Sequence, residues 1–283
     1  MTDLPDLAVT GSTGVLGGMV ARQLADAGFS QRLLVRDAGR APELDNAPTV
    51  LVSYADPVLS RPALEGVKTL FMVSAAEAED RLQHHHAFVD AAAEAGVQHI
   101  VYTSFFGAAP DCTFTLGRDH YATEERIRAS GMSFTFLRNN FYLDFLPKLT
   151  GEDGVIRGPA RDGVMAAVTR EDIARSAVAV LRDPAVHAGF TYNLTGPEDL
   201  SLARAAEVLT RATGRAVTYH DETLEEAYSS RASYGAPAWL VNAWVSTYTA
   251  IAAGELAGPT SDVNGLTGQD PIGLEEFVKL PQL

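Results

Sequence analysis

The chain has 283 residues, 46% of them hydrophobic, one cysteine and a formal net charge of −14. That length and composition suit a chain with a sizeable core in one large or two closely joined domains, and they exclude an intrachain disulfide framework and a predominantly disordered protein. The acidic balance argues against generic affinity for nucleic acid or an anionic membrane surface; the opening Met-Thr-Asp-Leu-Pro-Asp lacks the basic region and apolar core of a signal peptide, so the cytoplasm is the expected compartment.

In chain order, the apolar run Leu7-Ala8-Val9-Thr10 reads as a strand that flows into Gly11-Ser12-Thr13-Gly14-Val15-Leu16-Gly17. The glycines have separate uses: Gly11 permits a tight turn, Gly14 lets the backbone approach a phosphate, and Gly17 lets a helix pack closely on the strand. Val15, Leu16, Met19, Val20 and Leu24 then recur at helical spacing up to Gly28, and residues 31–35 read as a second strand. This strand-helix-strand unit predicts a dinucleotide site of the Rossmann type, in which first-turn amides and the helix dipole hold the diphosphate without a lysine. At the end of the second strand an acidic residue accepts a ribose 2′-hydroxyl, whereas an arginine accommodates a 2′-phosphate. Arg36 stands there, with Arg40 a second candidate, which predicts NADP(H). Asp37 would meet a ribose if the strand ran one residue further, and both charges resting in a solvated loop is the plain alternative.

Strands and helices continue to alternate: strands at 49–53, 69–73, 99–104 and 133–137, with helical patterns at 58–64, 77–95 and 119–130. The six strands and their helical crossovers predict an α/β fold, a Rossmann-type doubly wound parallel sheet, with binding residues at the carboxyl ends of the strands: 74–76, 103–106 and 138–142. After Tyr142 the pieces shorten around Gly151, Gly154, Gly158, Pro159 and Gly163, with small strands near Val155 and Met165. A smaller α/β substrate lobe is expected there, with helices at 170–181 and 201–213 around a strand at 190–194. The division is a dinucleotide-binding domain at 1–142 and a substrate lobe at 143–283, interleaved with it.

Residues 232–254 carry no charge, yet Pro237, Asn242, Ser246, Thr247 and Thr249 interrupt the apolarity and no basic flanks follow, so a buried or pocket-lining helix is expected rather than a membrane span. His84, His85 and His86 are consecutive on a helix and point about 100° apart, so they do not converge on one metal ion, and no metal is expected. Phe141, Tyr234, Trp239, Trp244 and Tyr248 read either as an apolar lid for a flat aromatic substrate or as core.

Several motifs in order, Val9 to Gly17, Val35-Arg36, Tyr102-Thr103-Ser104, Thr123-Glu124, Leu137-Arg138-Asn139, Ala167-Val168-Thr169-Arg170-Glu171-Asp172-Ile173-Ala174 and Leu266-Thr267-Gly268, resemble the NmrA-like atypical short-chain dehydrogenase/reductases, and within them the type 2 NAD(P)H quinone oxidoreductases and triphenylmethane reductases. The resemblance spans nearly the whole chain. It implies an NADPH-binding lobe, a substrate lobe and hydride transfer between them. By it, Gly11, Thr13, Gly14, Leu16 and Gly17 hold the diphosphate, and Arg36 holds the 2′-phosphate. Ser74 and Ala75 pass the adenosine and ribose side, Thr103, Ser104 and Phe105 lie by the nicotinamide, and Asn139 and Tyr142 lie toward the substrate, with Asn139 among the cofactor contacts. It also puts His85 where relatives carry histidine.

Ordinary short-chain dehydrogenases carry Tyr-x-x-x-Lys, the lysine lowering the tyrosine's pKa. Here Tyr121 is followed four residues on by Glu125, a departure that weakens the case for ordinary ketone reduction. A quinone, enone, iminium or cationic dye accepts hydride with less need of an acid. His120, Tyr121 and Tyr142 are the candidates to supply a proton or a hydrogen bond. The expected function is NADPH-dependent hydride transfer to a quinone or similar small molecule; an NADP(H)-binding redox sensor without turnover, and a secondary-metabolite reductase or isomerase, are the alternatives. A small-molecule substrate is the expected partner, without nucleic acid or membrane, and a homodimer is allowed.

Overall fold

A computed structural model describes residues 4–280; the first three residues, on which the expectation about a signal peptide partly falls, and the last three lie outside the described part. The order is β1 (Leu7–Thr10), α1 (Val15–Asp26), β2 (Arg32–Val35), β3 (Thr49–Leu51), α2 (Pro57–Leu64), β4 (Thr69–Met72), α3 (Arg81–Glu94), β5 (His99–Phe105), α4 (Thr115–Ala129) and β6 (Ser133–Asn139). Then follow β7 (Val155–Gly158), β8 (Val164–Met165), α5 (Arg170–Arg182), β9 (Thr191–Leu194), β10 (Leu200–Ser201), α6 (Leu202–Thr213), β11 (Thr218–Asp221), α7 (Leu224–Arg231), α8 (Ala238–Ala252), α9 (Asp262–Thr267) and α10 (Leu274–Phe277).

Seven strands form the main sheet in the order β3-β2-β1-β4-β5-β6-β9. The pairs of β1 with β2 and β4, of β2 with β3 and of β4 with β5 are parallel, with Thr10 opposite Leu34, Val9 opposite Phe71 and Met72 opposite Tyr102. All four residues of β1 and of β2 are buried, as befits strands covered on both faces. β1 to β6 stand in the order of a dinucleotide-binding α/β sheet, with the strand order reversing at β1. Two small two-stranded sheets pair β8 with β10 and β7 with β11.

Buried Arg32 shows how helix α2 ends. Its guanidinium donates to the carbonyls of Ala63, Glu65 and Pro5 at 2.7, 3.0 and 3.1 Å, so a cation closes the carbonyl end of the helix.

The chain groups into two compact units. One comprises Met1–Ser104, Asp119–Arg138 and Ile173–Tyr192, and the other Phe105–Arg118, Asn139–Asp172 and Asn193–Leu283, so the chain crosses between them both before and after residue 142. The first is built on Leu34, Leu70, Met72, Phe88, Ile100, Tyr102, Ile127 and Phe136. The second is built on Leu143, Leu146, Ile156, Met165, Leu209, Ile251 and Leu256, with Phe105, Phe141 and Tyr248 packed against it.

Several elements differ from the sequence pattern. The strand expected in the smaller lobe near 190–194 is β9, the seventh strand of the main sheet, because Phe136 N–H donates to Phe190 O and Asn140 N–H to Leu194 O. Helix α3 starts at Arg81 rather than near 77, since Arg81 and His85 turn back onto residue 75 and hold the preceding backbone out of the helix. Helix α4 starts at Thr115 rather than 119: Ser246 Oγ of α8 accepts from Thr115 N–H at 3.1 Å, a cap supplied from 131 residues away. Residues 232–254 hold the 15-residue α8, and no helix among the described residues is long and apolar enough to cross a membrane.

Candidate active site

At the carboxyl end of β1, Gly11 has φ +68°, the left-handed region open to glycine. Gly14 caps α1 with its N–H on Gly11 O at 2.9 Å, and no side chain caps that helix. A Cβ on Gly17 would lie 2.3 Å from Gly11 O and 2.8 Å from Thr10 O, so only glycine lets α1 approach this closely. Gly14 and Val15 are exposed beside Thr13, whereas Leu16 is buried and offers its amide rather than its side chain. Ser12 Oγ is buried without a protein partner. A backbone cradle with uncapped amides and an orphaned hydroxyl fits a dinucleotide diphosphate.

β2 ends at Val35, so the exposed Arg36 is the first residue past it. Asp37 turns its carboxylate onto Gly39 N–H at 2.9 Å, capping a short 3-10 turn at Ala38–Arg40, which commits it locally. The strand order puts β2 on one flank of β1 and β4 then β5 on the other. Arg36 therefore lies on the opposite flank of the glycine turn from Ser74, Ala75, Thr103 and Ser104.

Beyond β4, side chains fix three successive residues. Val73 N–H donates to Thr10 Oγ1 at 2.8 Å, and Val73 O accepts from the Tyr54 hydroxyl at 2.7 Å. Ser74 N–H donates to Thr103 Oγ1 at 2.8 Å. Ala75 N–H donates to His85 Nε2 at 2.9 Å, and Ala75 O accepts from Arg81 Nε at 3.0 Å. The histidine tautomers follow. Because His85 Nε2 accepts, its Nδ1 carries the proton and donates to Thr123 Oγ1 at 3.0 Å, while Thr123 donates to Asp119 O at 2.7 Å. Arg81, held by Asp119 at 3.3 Å, can only donate to His120 Nε2 at 2.9 Å, so His120 Nδ1–H donates to Tyr102 Oη at 2.9 Å. Burial and the nearby Arg81 charge push His85 down to about 2 and His120 well below its ordinary value, so both rings are neutral. Burial likewise raises the phenols of Tyr54 and Tyr102.

His120, read from the sequence as a candidate proton donor, is in the structure a buried member of this scaffold with both ring nitrogens engaged. The other histidines diverge: His84 meets Asp80 at 3.1 Å and His86 lies 3.3 Å from Ala122 O.

The most deeply buried carboxylate nearby is Glu124, which is not among the acid-base candidates that the sequence offers. It accepts from Ser104 Oγ at 2.6 Å and from Arg138 Nε and Nη2 at 2.8 and 2.7 Å, joining β5, α4 and β6. The bidentate carboxylate raises the Arg138 guanidinium above its ordinary value. Tyr121, half-buried one turn before Glu124 on the same helix face, lies within electrostatic reach of Arg138. Glu125, expected to face Tyr121 as a carboxylate in place of lysine, pairs instead with Arg128 at 2.6 Å on the exposed face. The clue to Glu124 in the sequence is the pairing of Thr123-Glu124 with Leu137-Arg138-Asn139 among the motifs.

In the second unit, Asn139 Nδ2 donates to Tyr142 Oη at 3.3 Å, and Asn139 Oδ1 is buried without a partner. The Tyr142 ring stacks on Phe145 with centroids 5.8 Å apart and carries the Arg170 guanidinium 5.0 Å from its centre. Asp144 holds Arg170 at 3.4 Å and accepts from Arg170 N–H at 3.0 Å. Phe105 packs on Phe114 with centroids 4.6 Å apart. Four of the five aromatic residues read as a lid or as core divide: Phe141 and Tyr248 join the unit's core, whereas Trp244 packs beside Val241 and Val245 and meets Tyr234 edge-on at 6.2 Å.

Sheet order and glycine cradle together define a Rossmann-type α/β protein built for a dinucleotide. The sequence pattern of the NmrA-like family matches residues 5–236. The chain is 34% identical over 278 residues to the NAD(P)H azoreductase of Xenophilus azovorans, covering 96% of each. It is 30% identical over 279 residues to quinone oxidoreductase 2 of Escherichia coli strain K12, covering 96% of this chain and 97% of that one. The crystal structure of the Escherichia coli NADPH-dependent quinone oxidoreductase complexed with NADPH matches with a TM-score of 0.88 at 30% identity, over 96% of this chain and 98% of that one. That of the Citrobacter triphenylmethane reductase complexed with NADP(H) matches at 0.86 and 30%, over 96% and 99%. The chain belongs to the NmrA-like family, and it is an oxidoreductase.

Proposed function

We propose that the protein uses NADPH to reduce a quinone or a similarly conjugated small molecule. The observation that carries this reading is the glycine cradle at β1 flanked by Arg36 at the end of β2, with Asp37 withdrawn into its own turn. The amides around Gly11, Thr13, Gly14, Leu16 and Gly17 would hold the diphosphate, Ser12 Oγ would find its missing partner there, and Arg36 would take the 2′-phosphate. Ser74, Ala75, Thr103, Ser104 and Phe105 are proposed to line the remainder of the cofactor. When bound, NADPH supplies a hydride to the acceptor.

The chain's own groups do the positioning. Glu124 holds the Ser104 proton, so Ser104 presents lone pairs and acts as an acceptor. Tyr121 is assigned the role of hydrogen-bond donor to the acceptor's developing oxyanion. An acceptor whose reduced form is intrinsically stable suits such a site, since orientation rather than strong acid catalysis limits it. The relatives bear on the same reading, being named for azo compounds, quinones and triphenylmethane dyes.

The test is absorbance loss of NADPH, and separately of NADH, with a panel of quinones and enones. Turnover with NADPH and a much lower kcat/KM with NADH is expected. Tight NADPH binding with no turnover across the panel would refute the reductase reading.

A further inference from the structure

Helix α3 turns two buried polar side chains onto one residue of the loop that leaves β4. Arg81 and His85, one turn apart on the same helix face, are 3% and 0% exposed. Arg81 Nε donates to Ala75 O at 3.0 Å, and His85 Nε2 accepts from Ala75 N–H at 2.9 Å. The peptides before and after Ala75 are therefore both held, which leaves neither its φ nor its ψ free. The direction of each bond is fixed by its partner, because a backbone N–H and a guanidinium can only donate. Turning the imidazole over would put carbon where each of its nitrogens now bonds. The pair is braced from α4: His85 Nδ1–H donates to Thr123 Oγ1 at 3.0 Å, and Arg81 reaches Asp119 at 3.3 Å and His120 at 2.9 Å. A buried guanidinium stabilises a fold less than a well-packed apolar side chain in the same space, so what Arg81 adds is the geometry it imposes.

We propose that Arg81 and His85 are positioning residues for the dinucleotide: they preset the backbone at Ala75 before the cofactor arrives and do so without touching it. The inference rests on the functional reading above and deepens it. The loop borders the glycine cradle, since Val73 N–H donates to Thr10 Oγ1 at 2.8 Å and a Cβ on Gly11 would lie 3.0 Å from Val73 Cβ. A ligand spread along the carboxyl ends of β1 and β4 meets this loop. A loose loop loses backbone entropy when the ligand orders it, and a loop already fixed by its own side chains does not. Arg81, His85, Ala75 and the α4 residues that brace them all belong to the first unit, as does the cradle.

The test joins amide hydrogen exchange of the cofactor-free protein, read residue by residue by NMR, with calorimetry of NADP+ binding. In the parent, Ala75 N–H is expected to exchange slowly with no cofactor present. His85→Leu should speed that exchange by about tenfold or more and weaken NADP+ by about tenfold, the effect of having to fix one residue again on binding. His85→Gln, whose Oε1 can accept where Nε2 did, should recover most of both. Arg81→Met should weaken NADP+ to a similar extent and Arg81→Lys should recover part of the loss; this pair decides the matter if His85→Leu does not fold. Leu64→Ala, a cavity in the same unit's apolar core on α2, should lower the unfolding midpoint and leave the NADP+ Kd within about twofold. Rapid exchange at Ala75 in the parent, or an NADP+ affinity in His85→Leu equal to the parent's, would overturn the assignment. So would a loss of affinity in Leu64→Ala as large as that in His85→Leu, because binding would then simply follow stability. Absence of NADP+ binding by the parent would instead overturn the functional reading on which the assignment stands.

Discussion

Replacing Gly17 by alanine tests the cradle most directly. The added Cβ would lie 2.3 Å from Gly11 O and 2.4 Å from Gly11 C. Even a close carbon–oxygen contact is about 3.3 Å, so the overlap is roughly 1 Å. The carbonyl belongs to a backbone turn that is itself pinned by Gly14 N–H, so the strain falls on α1, which must back away from β1. A gap of that size costs about a quarter to a half of each dispersion contact along the buried face of Leu16, Val20, Ala21 and Leu24. Overpacking of this kind costs roughly 3 kcal/mol at its upper range. For a chain of this size that corresponds to a fall of about 6–12 °C in the unfolding midpoint, read by circular dichroism. NADPH affinity should fall with it, because the amides of the first turn move with the helix. Gly14→Ala is the control: its Cβ would stand 3.3 Å from Gly11 O on an exposed position, so the fold should hold while phosphate approach is blocked. A Gly17→Ala protein that melts within about 2 °C of the parent and binds NADPH equally well would refute the reasoning.

Arg36→Ala should weaken NADPH by roughly 1.5–3 kcal/mol and leave NADH nearly unchanged, as measured by titration of the two cofactors. Glu124→Ala removes a fully buried carboxylate from Arg138 and Ser104; a loss of about 3–5 kcal/mol in denaturant unfolding is expected, and a loss under 1 kcal/mol would show the pair to be dispensable. Stability should also depend on His85. Held near 2 in the folded chain and close to 6.5 when unfolded, it binds its proton only in the unfolded state between those values, so stability is intact above about pH 6.5 and declines as pH falls toward 2, by roughly 2 kcal/mol at pH 5. His85→Gln should flatten that decline in melts run from pH 7 to 5, while a slope identical to the parent's would remove His85 from the account.

Much of the first unit was legible because its signals are local. Glycines three apart, an apolar helical stripe and an arginine at a strand end each specify a conformation within a few residues. The same local reading placed Asp37 and Glu125 as rivals or neighbours in the site, and tertiary geometry turned both elsewhere: Asp37 onto Gly39 N–H and Glu125 onto Arg128. His120 looked like a candidate acid because its burial by Tyr102 and Arg81 depends on elements 18 and 39 residues away. Glu124 carried no signal of its own beyond a shared motif, since its partners come from two different strands.

Sequence by itself therefore determined the glycine cradle, the arginine beside it and the alternation that produces a parallel sheet, because each rests on backbone propensity and side-chain periodicity. Only the tertiary structure decided that β9 completes the main sheet, that Ser246 caps α4, and that Thr10, Tyr54, Thr103, His85 and Arg81 together fix residues 73–75. These depend on which distant polar groups the topology buries together, and a buried donor or acceptor must take its partner from whatever the fold brings within hydrogen-bonding distance.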